Sequence, residues 1–285
     1  MTIEAPPADP DAPPPAPSPG AAPRPAVRAL RRAPERREIA LTLGLVLLLN
    51  VPGGFLQLAS LRWGLLATQI LFIAAPVFLA VRLFYLDPRA VLPLRWPGPA
   101  LIAGAAFGIA GLNHFLNYVL LWQDRYFPLP GLWQGLFEDL AAYDGPADLV
   151  LLLLLVGVVP AVCEELLFRG FVQAGLLREF ESAPKAILVG AVVFAGFHLN
   201  PWRLLVLLVI GVYLGFLAQR SGSLLPSMLG HALNNILSIA LAELPDAWRD
   251  PLVQSGWSHA GAAGCLVAAV LLLSPPAWRR EFRML

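Results

Sequence analysis

The chain has 285 residues, of which 58% are hydrophobic and 14% charged, and its formal net charge is +1. Soluble domains carry about 25% charged residues, so this composition excludes an ordinary soluble fold and indicates a multispan membrane protein. The two cysteines, Cys163 and Cys265, both fall in apolar stretches, which excludes a disulfide framework and a CxxC metal site. We expect the lipid bilayer as a partner and no nucleic acid.

The two ends of the chain differ in composition from everything between them. Residues 1–38 are rich in Pro and Ala and then in Arg, with almost nothing apolar to bury, so we predict a disordered cytoplasmic tail. No apolar h-region precedes Ile39, so this tail is not predicted to be a secretory signal peptide. Residues 276–285 are predicted to form a short basic cytoplasmic tail.

Between these tails, apolar segments alternate with short polar ones. A bilayer crossing takes about 20 apolar residues, so we predict an all-α, polytopic helix bundle with about eight spans over residues 39–275. The fifth and sixth segments are short for full crossings. The predicted spans are 39–59, 63–84, 98–122, 149–171, 185–199, 203–219, 224–242 and 259–275.

Basic residues are unevenly distributed among the segments that connect these spans. If the N-terminus is cytoplasmic, the inner segments hold 16 of the 20 lysines and arginines, whereas the outer loop 123–148 is acidic. Cytoplasmic loops carry an excess of Lys and Arg, so both termini are predicted to be cytoplasmic. The inner segments, with six, three, three, one and three basic residues, are 1–38, 82–97, 169–185, 220–223 and 276–285.

The fourth span, which is otherwise apolar from 149 to 171, contains two adjacent carboxylates and an arginine. A charge inside a span costs roughly 2.5–3.5 kcal/mol on insertion scales and is by default a functional signal. Glu165 and Arg169 are four residues apart on one helix face, with the acid first, so they can neutralise each other. Glu164 is rotated about 100° away and is free for chemistry. The alternative is a purely structural charge network.

Two later spans also carry polar groups at helical spacing. Phe194 and His198 share one face of the fifth span, and His231 and Asn235 share one face of the seventh. A lone membrane histidine is more often a packing residue than a catalyst. Together with Glu164, however, the set provides a base for water, a partner to orient it and donors for an oxyanion, which suffices for hydrolysis.

These motifs resemble those of the CPBP family (CAAX protease and bacteriocin-processing, or Abi) of intramembrane proteases, which includes the Ras-converting CAAX endopeptidase. The resemblance covers residues 160–240 well, within a protease-like core at 149–243, and the eight-span layout is similar to that of the CAAX endopeptidases. The family's motifs EExxxR, FxxxH and HxxxN/D are matched in order by Glu164-Glu165-Leu-Leu-Phe-Arg169, Phe194-Ala-Gly-Phe-His198 and His231-Ala-Leu-Asn-Asn235.

The resemblance implies a role for each residue that matches a motif. Glu164 activates water and His198 helps to bind and orient it, while His231 and Asn235 form the side that stabilises the oxyanion. It also implies that the chain is an intramembrane endopeptidase acting on a membrane-associated polypeptide, with no nucleic acid involved.

The cofactor requirement stays open at this stage. The resemblance implies that Glu165 and Arg169 support the site, and the family is often labelled as metalloproteases. Glu164, His198 and His231 would offer zinc two imidazoles and a carboxylate. In the competing interpretation the same residues hold water directly. The sequence does not decide between the two; since no HExxH motif argues independently for zinc, we favour the metal-free site and keep a divalent metal such as zinc as the alternative.

The depths of the motif residues conflict if every helix is straight. At 1.5 Å per residue, Glu164 and His231 lie about 10 Å from the cytoplasmic ends of their spans, whereas His198 lies about 18 Å deep. We therefore predict that the turn at Asn200 and Pro201 is sunk below the outer surface, or that the fourth helix is tilted.

Polar residues in the third span are a weaker signal. Asn113, His114 and Asn117 share part of one helix face, so they are predicted either to line the catalytic cavity or to form a hydrogen-bond cluster between helices.

Alternatives to the protease are a non-catalytic CPBP-fold protein that regulates a partner, as in bacteriocin immunity or a sensor-kinase scaffold, and a transporter. The chain has no inverted-repeat signal, which disfavours the transporter. Its composition, rich in Ala, Pro, Arg and Leu, is typical of a high-GC bacterium, so we expect a multi-pass protein of the cytoplasmic (inner) membrane.

Overall fold

The computed structural model describes residues 32–274, so residues 1–31 of the predicted N-terminal tail (1–38) and the predicted C-terminal tail (276–285) lie outside the described residues. Within this range all regular elements are helices and no strand occurs. We number eleven helices in chain order. They are α1 (Arg36–Ala59), α2 (Leu61–Leu83), α3 (Pro88–Val91), α4 (Pro99–Tyr126), α5 (Gly131–Ala141), α6 (Gly145–Phe180), α7 (Ala183–Phe197), α8 (Leu204–Ser221), α9 (Leu225–Glu243), α10 (Asp246–Gln254) and α11 (Gly256–Leu273).

Each of the eight predicted spans overlaps one of these helices over most of its length. Six described helices (α1, α2, α4, α6, α8 and α11) are long and apolar enough to cross a membrane. Of the other two, α7 is apolar but has only 15 residues, and α9 has 19 residues but is not among the six. The chain is therefore a multi-pass membrane protein in type, and the count of eight spans stays a prediction.

The first helix begins earlier than the composition indicates. Glu35 caps α1 together with Glu38, whose side chain accepts from the Glu35 backbone N–H at 2.9 Å. Arg32 donates to Glu38 at 2.7 and 2.8 Å and to the carbonyl of Phe84 at 2.6 Å. The predicted tail boundary at 38 thus lies inside α1, because capping and an ion pair order polar residues that hydropathy assigns to the tail.

Helix α6 is at the centre of the bundle. Half of its most apolar window is buried, against 22% for α1 and for α11, which lie at the periphery. Its fully buried Leu167 and Phe171 form one core with residues of α1 and α2, such as Val46 and Val77. The charged motif of the fourth predicted span therefore lies in the middle of the protein and not on a lipid-facing surface.

Three π-helical segments interrupt the α-helical ladders of α2 and α6. They are Thr68–Ala74 in α2, and Leu153–Val158 and Leu166–Val172 in α6. A π turn inserts a residue and so rotates the side chains that follow it, and such turns are frequent at functional sites. The segments matter here because they hold side chains that contact the site described below.

Gly170 marks a close approach in which α3 packs against α6. A Cβ atom at this position would lie 2.6 Å from the carbonyl oxygen of Val91, a backbone atom that cannot rotate away. We expect Gly170→Ala to destabilise the protein by about 1–3 kcal/mol through overpacking, measured as unfolding in mixed micelles. Gly190→Ala in α7 is the matched control, because its Cβ would meet only Leu176, at an ordinary 3.9 Å. Equal stability of the two variants would contradict this packing.

Candidate active site

Glu164 is a buried carboxylate with one bound and one unbound oxygen. Its Oε1 accepts a hydrogen bond at 2.9 Å from Nε2 of Gln69, which extends from the π-helical segment of α2. Both residues are buried, at 8% and 5% exposure. Within the described residues its Oε2 has no hydrogen-bond partner, although it is buried. Glu164 is thus held at one oxygen and left available for chemistry at the other.

Two histidines face this available oxygen. Nε2 of His198 lies 3.7 Å and Nε2 of His231 lies 3.9 Å from Glu164 Oε2. These separations are too long for direct hydrogen bonds. The structure therefore brings Glu164, His198 and His231 together around one point.

The other ring nitrogen of each histidine fixes its tautomer. Nδ1 of His198 lies 2.8 Å from the carbonyl oxygen of Phe194, which can only accept, so this Nδ1 carries the proton. Nδ1 of His231 lies 3.0 Å from Oε1 of Glu165 and donates to that carboxylate in the same way. When the rings are neutral, both Nε2 atoms therefore present lone pairs to Glu164. Three acceptors converge, and each requires a donor or a cation.

Glu165 and Arg169 form the buried ion pair that their spacing predicts. Arg169 Nη1 donates to Glu165 Oε1 at 2.7 Å, and the two side chains are 2% and 0% exposed. Nη2 of Arg169 donates to the carbonyl of Gly211 in α8 at 3.2 Å. The guanidinium also lies 4.2 Å from the ring centroid of Phe194. This pair joins α6 to three other helices, because Glu165 holds His231 of α9 as well.

Phe194, which lies in α7, contacts both histidines. Its ring centroid lies 4.7 Å from that of His198 and 5.7 Å from that of His231, both edge-on. Together with its carbonyl bond to His198, these contacts fix the positions of both imidazoles. The first residue of the FxxxH motif therefore positions the catalytic candidates and does not itself react.

The depth conflict is resolved at the end of α7. The helix ends at Phe197, His198 is its C-cap, and Asn200 in the following turn is buried at 8% exposure. The side chain of His198 is 30% exposed, more than Glu164 at 11%. The short α7 and its buried turn allow His198 to reach Glu164, and His198 is the more exposed of the two side chains.

Asn235 is the predicted site residue that the structure does not join to the others. Its Nδ2 lies 3.4 Å from the carbonyl oxygens of Val156 and Gly157, in a π-helical segment of α6. No hydrogen bond links it to Glu164 or to either histidine within the described residues.

The three polar residues of the third span, Asn113, His114 and Asn117, do not all lie together. His114 pairs with His259 at 3.3 Å, away from the two asparagines that share its helix face.

The zinc alternative can be tested against these positions. Ligands of tetrahedral zinc at 2.0–2.1 Å lie about 3.3 Å from each other, whereas Glu164 Oε2 is 3.7 and 3.9 Å from the two imidazole nitrogens. Over residues 32–274 no group of three His, Cys, Asp or Glu side chains is arranged to hold a metal ion. The donor types suit zinc, but their spacing does not.

Comparison with protein-family models identifies the segment that carries the site. Residues 146–237 match the family of type II CAAX prenyl endopeptidases, Rce1-like. This segment is therefore similar to the Rce1-like endopeptidases. The match spans about a third of the chain and includes all three motifs, from Glu164 to Asn235. It confirms the predicted resemblance to the CAAX proteases. No curated protein and no solved structure matches the chain.

Gln69 is the site residue that sequence reasoning missed, and it lies outside the Rce1-like segment. It is a single amide in an otherwise apolar span, with no second polar residue at helical spacing to mark a face. The one sequence signal for Gln69 is energetic: an amide without a hydrogen-bond partner raises the free energy of a membrane span, so a partner is expected. Its partner, Glu164, is 95 residues further along the chain.

We expect Gln69→Met to lower kcat about tenfold and to leave KM unchanged, because Glu164 Oε1 loses the bond that fixes the carboxylate. Cleavage of an identified substrate would be measured in proteoliposomes. Gln173→Met is the matched control: Gln173 is also buried, at 3% exposure, but donates to the carbonyl of Gly215 and not to the site. If both variants lost kcat equally, Gln69 would have no specific effect on Glu164.

Proposed function

We propose that the chain is an intramembrane endopeptidase that hydrolyses a peptide bond of a membrane-associated polypeptide, with a water molecule activated by Glu164. Membership of the segment 146–237 in an Rce1-like protease family supports the reaction class. The single observation that carries the mechanism is the convergence of Glu164 Oε2 and two imidazole Nε2 atoms with no donor among them.

One water molecule fits this convergence. A water molecule has two protons to donate, and the two imidazole Nε2 atoms lie 3.7 and 3.9 Å from Glu164 Oε2, so one water can bridge that oxygen and one of the imidazoles. Water can donate its two protons to Glu164 and to one histidine, which directs an oxygen lone pair towards a substrate carbonyl. His198 is the more exposed of the two imidazoles, so we assign it the binding and orientation of this water.

Glu164 then acts as a general base. It takes a proton from the water at Oε2 as the oxygen bonds to the carbonyl carbon. The same proton passes to the amide nitrogen as the C–N bond breaks, which regenerates the carboxylate and releases an amine and a carboxylic acid. The Gln69 bond to Oε1 keeps the basic oxygen pointing at the water during both transfers.

His231 and Asn235 are proposed to stabilise the oxyanion. His231 would donate from Nε2 to the oxyanion as the imidazolium, having taken its second proton from solution before the substrate reacts, and the Glu165 carboxylate at Nδ1 would stabilise that cation. Asn235 makes two long bonds, each 3.4 Å, to main-chain carbonyls. These bonds are weak, so the amide can exchange them for an oxyanion when substrate is bound.

We propose that the protein works without a metal, because Glu164 Oε2 lies 3.7 and 3.9 Å from the two imidazole nitrogens, farther than the ligands of tetrahedral zinc lie from each other, and because the chain has no HExxH motif. If zinc were bound, Glu164, His198 and His231 would hold it and it would supply Lewis-acid activation of water.

The membrane arrangement is also a proposal: eight spans with both termini cytoplasmic, in the inner membrane of a bacterium. The asymmetry in basic residues supports this orientation, although one arginine has to be removed from the count. Arg169, counted with the inner segments, is buried in α6 and paired with Glu165, so it does not contribute to orientation. The remaining inner arginines and lysine still outnumber Arg62, Arg125, Arg203 and Arg249 on the other side.

The test compares protein termini in membranes of cells that produce wild type or Glu164→Gln. We expect specific new termini with wild type only, which would also identify the substrate. If both proteins gave the same termini, and Glu164→Gln rescued the phenotype of a deletion strain, the protein would be a non-catalytic regulator, such as an immunity protein or a sensor-kinase scaffold.

A further inference from the structure

A cavity of about 730 Å³ lies at the end of the bundle covered by α5 and α10. Its wall is mostly apolar, but it includes four neutral polar side chains from α4 and α9, and we call it the Asn-lined cavity after them. These four residues are Asn113, Asn117, Asn234 and Ser238. Volumes of 300–1,000 Å³ are typical of sites that enclose a small ligand.

The cavity is adjacent to the proposed active site but separate from it. Its wall includes Val156 and Asn234. Val156 contributes one of the carbonyls that bond to Asn235, and Asn234 donates to Asn235 Oδ1 at 3.4 Å. Glu164, His198 and His231 do not line it within the described residues. A molecule in the cavity would thus lie next to Asn235, which is proposed to stabilise the oxyanion, and on one side of the reacting bond.

The amides form a connected row that retains bonding capacity. Asn117 donates to the carbonyl of Asn113 at 3.0 Å, and Asn113 donates to Asn234 Oδ1 at 3.2 Å and to Ser238 Oγ at 3.3 Å. In this network Asn117 Oδ1 accepts no hydrogen bond from the described residues, and Asn234 Nδ2 uses one of its two protons. One acceptor and one donor remain, which is the pair that a peptide group requires.

The charges in the wall are already paired. Arg203 donates to Asp124 at 2.9 Å, and Arg249 lies 4.0 Å from Asp250. A phosphate headgroup would have to displace these carboxylates. An acyl chain would leave the spare acceptor of Asn117 and the spare donor of Asn234 without partners, at a cost in free energy. The wall chemistry therefore favours an uncharged ligand with an apolar body and its own amides.

We propose that the Asn-lined cavity binds an uncharged, extended segment of the polypeptide substrate on one side of the scissile bond. Its backbone N–H would donate to Asn117 Oδ1 and its carbonyl would accept from Asn234 Nδ2, while apolar side chains fill the rest of the cavity. This inference rests on the proposed function, since it assigns the cavity to the same substrate.

The experiment measures binding without turnover, in the Glu164→Gln protein. The probe is a fluorescent octapeptide of Leu, Ala and Ser with blocked ends, added to protein in nanodiscs. Ser238→Cys in this background would be modified with N-phenylmaleimide after folding, which fills the cavity without a folding defect. We expect the modification to weaken peptide binding about tenfold. Val270→Cys, on the exposed face of α11 at 62% exposure, is the control and should change binding less than twofold.

Asn117→Leu is the second variant and tests the backbone bond. We expect it to weaken peptide binding about fivefold, because the acceptor for one peptide N–H is lost. Wild-type protein treated with N-phenylmaleimide is the control for modification of the two native cysteines, Cys163 and Cys265.

Three results would overturn the proposal. The peptide could fail to bind to Glu164→Gln, or its binding could be unchanged after modification of Ser238→Cys. In the third, modification of Ser238→Cys would displace a fluorescent phosphatidylcholine and not the peptide. A wild-type protein that cut nothing would contradict the proposed function alone, because binding is measured independently of cleavage.

Discussion

Replacing Glu164 by Gln is expected to lower kcat for the identified cleavage by about 10³-fold, within the range for loss of a general base. The amide has nearly the shape of the carboxylate, so Gln69 can still donate to its oxygen. Its nitrogen, however, is a donor and has no lone pair to accept a proton from water. KM should change little, since no contact to the substrate is removed. Both constants would be measured in proteoliposomes.

The same substitution should leave the fold intact or stabilise it. A buried carboxylate is replaced by a neutral amide, and the new N–H donors face the lone pairs of His198 and His231 at the positions where Glu164 Oε2 lies 3.7 and 3.9 Å away. Glu179→Gln, in the same helix but paired with Arg36 away from the site, is the control. Full activity of Glu164→Gln, or equal loss in Glu179→Gln, would contradict the assignment of the base.

Replacing Arg169 by Met is expected to cost about 3–5 kcal/mol in the free energy of unfolding, because it leaves the fully buried carboxylate of Glu165 without its partner. The substitution also removes the bond to Gly211 and the contact with the Phe194 ring. Reversible unfolding in mixed micelles would measure the loss. Activity should fall as well, since Glu165 holds His231.

The double variant Glu165→Gln/Arg169→Met separates charge from packing. A buried ion pair can often be replaced by neutral residues at little cost, because the desolvation of both charges is avoided. We therefore expect the double variant to recover most of the stability lost in Arg169→Met. A loss equal to the sum of the two single variants would show that the pair is not energetically coupled.

Hydropathy predicted the positions of the eight apolar helices, but not those of α3, α5 and α10, which are short and lie in segments that it assigned to loops. It could not predict that α1 begins at Arg36, since that boundary depends on a capping box and on the bond from Arg32 to the carbonyl of Phe84. The count of basic residues in the inner segments included Arg169, although this residue lies in the fourth span and pairs with Glu165 as its spacing predicts. Local composition carries no record of such contacts.

In the candidate site, contacts within one helix were predicted from the sequence and contacts between helices were not. Spacing on a helix predicted the pairing of Glu165 with Arg169, since that contact lies within one helix. The contact from Gln69 joins helices that are far apart in sequence and depends on a π turn that no hydrophobic period reveals. Asn235 shares a face with His231 by spacing, but its amide bonds to carbonyls exposed by another π turn. The contacts of Gln69 and Asn235 that spacing could not predict thus both involve departures from the regular helix.

The most direct test of the central claim is a crystal structure of the wild-type protein with anomalous diffraction recorded at the zinc edge. We expect one solvent peak within hydrogen-bonding distance of Glu164 Oε2 and of Nε2 of His198 and His231, with no anomalous signal. An anomalous zinc peak bonded to these three residues would contradict the metal-free mechanism. Absence of any density between them, in a preparation that cleaves its substrate, would contradict the water site itself.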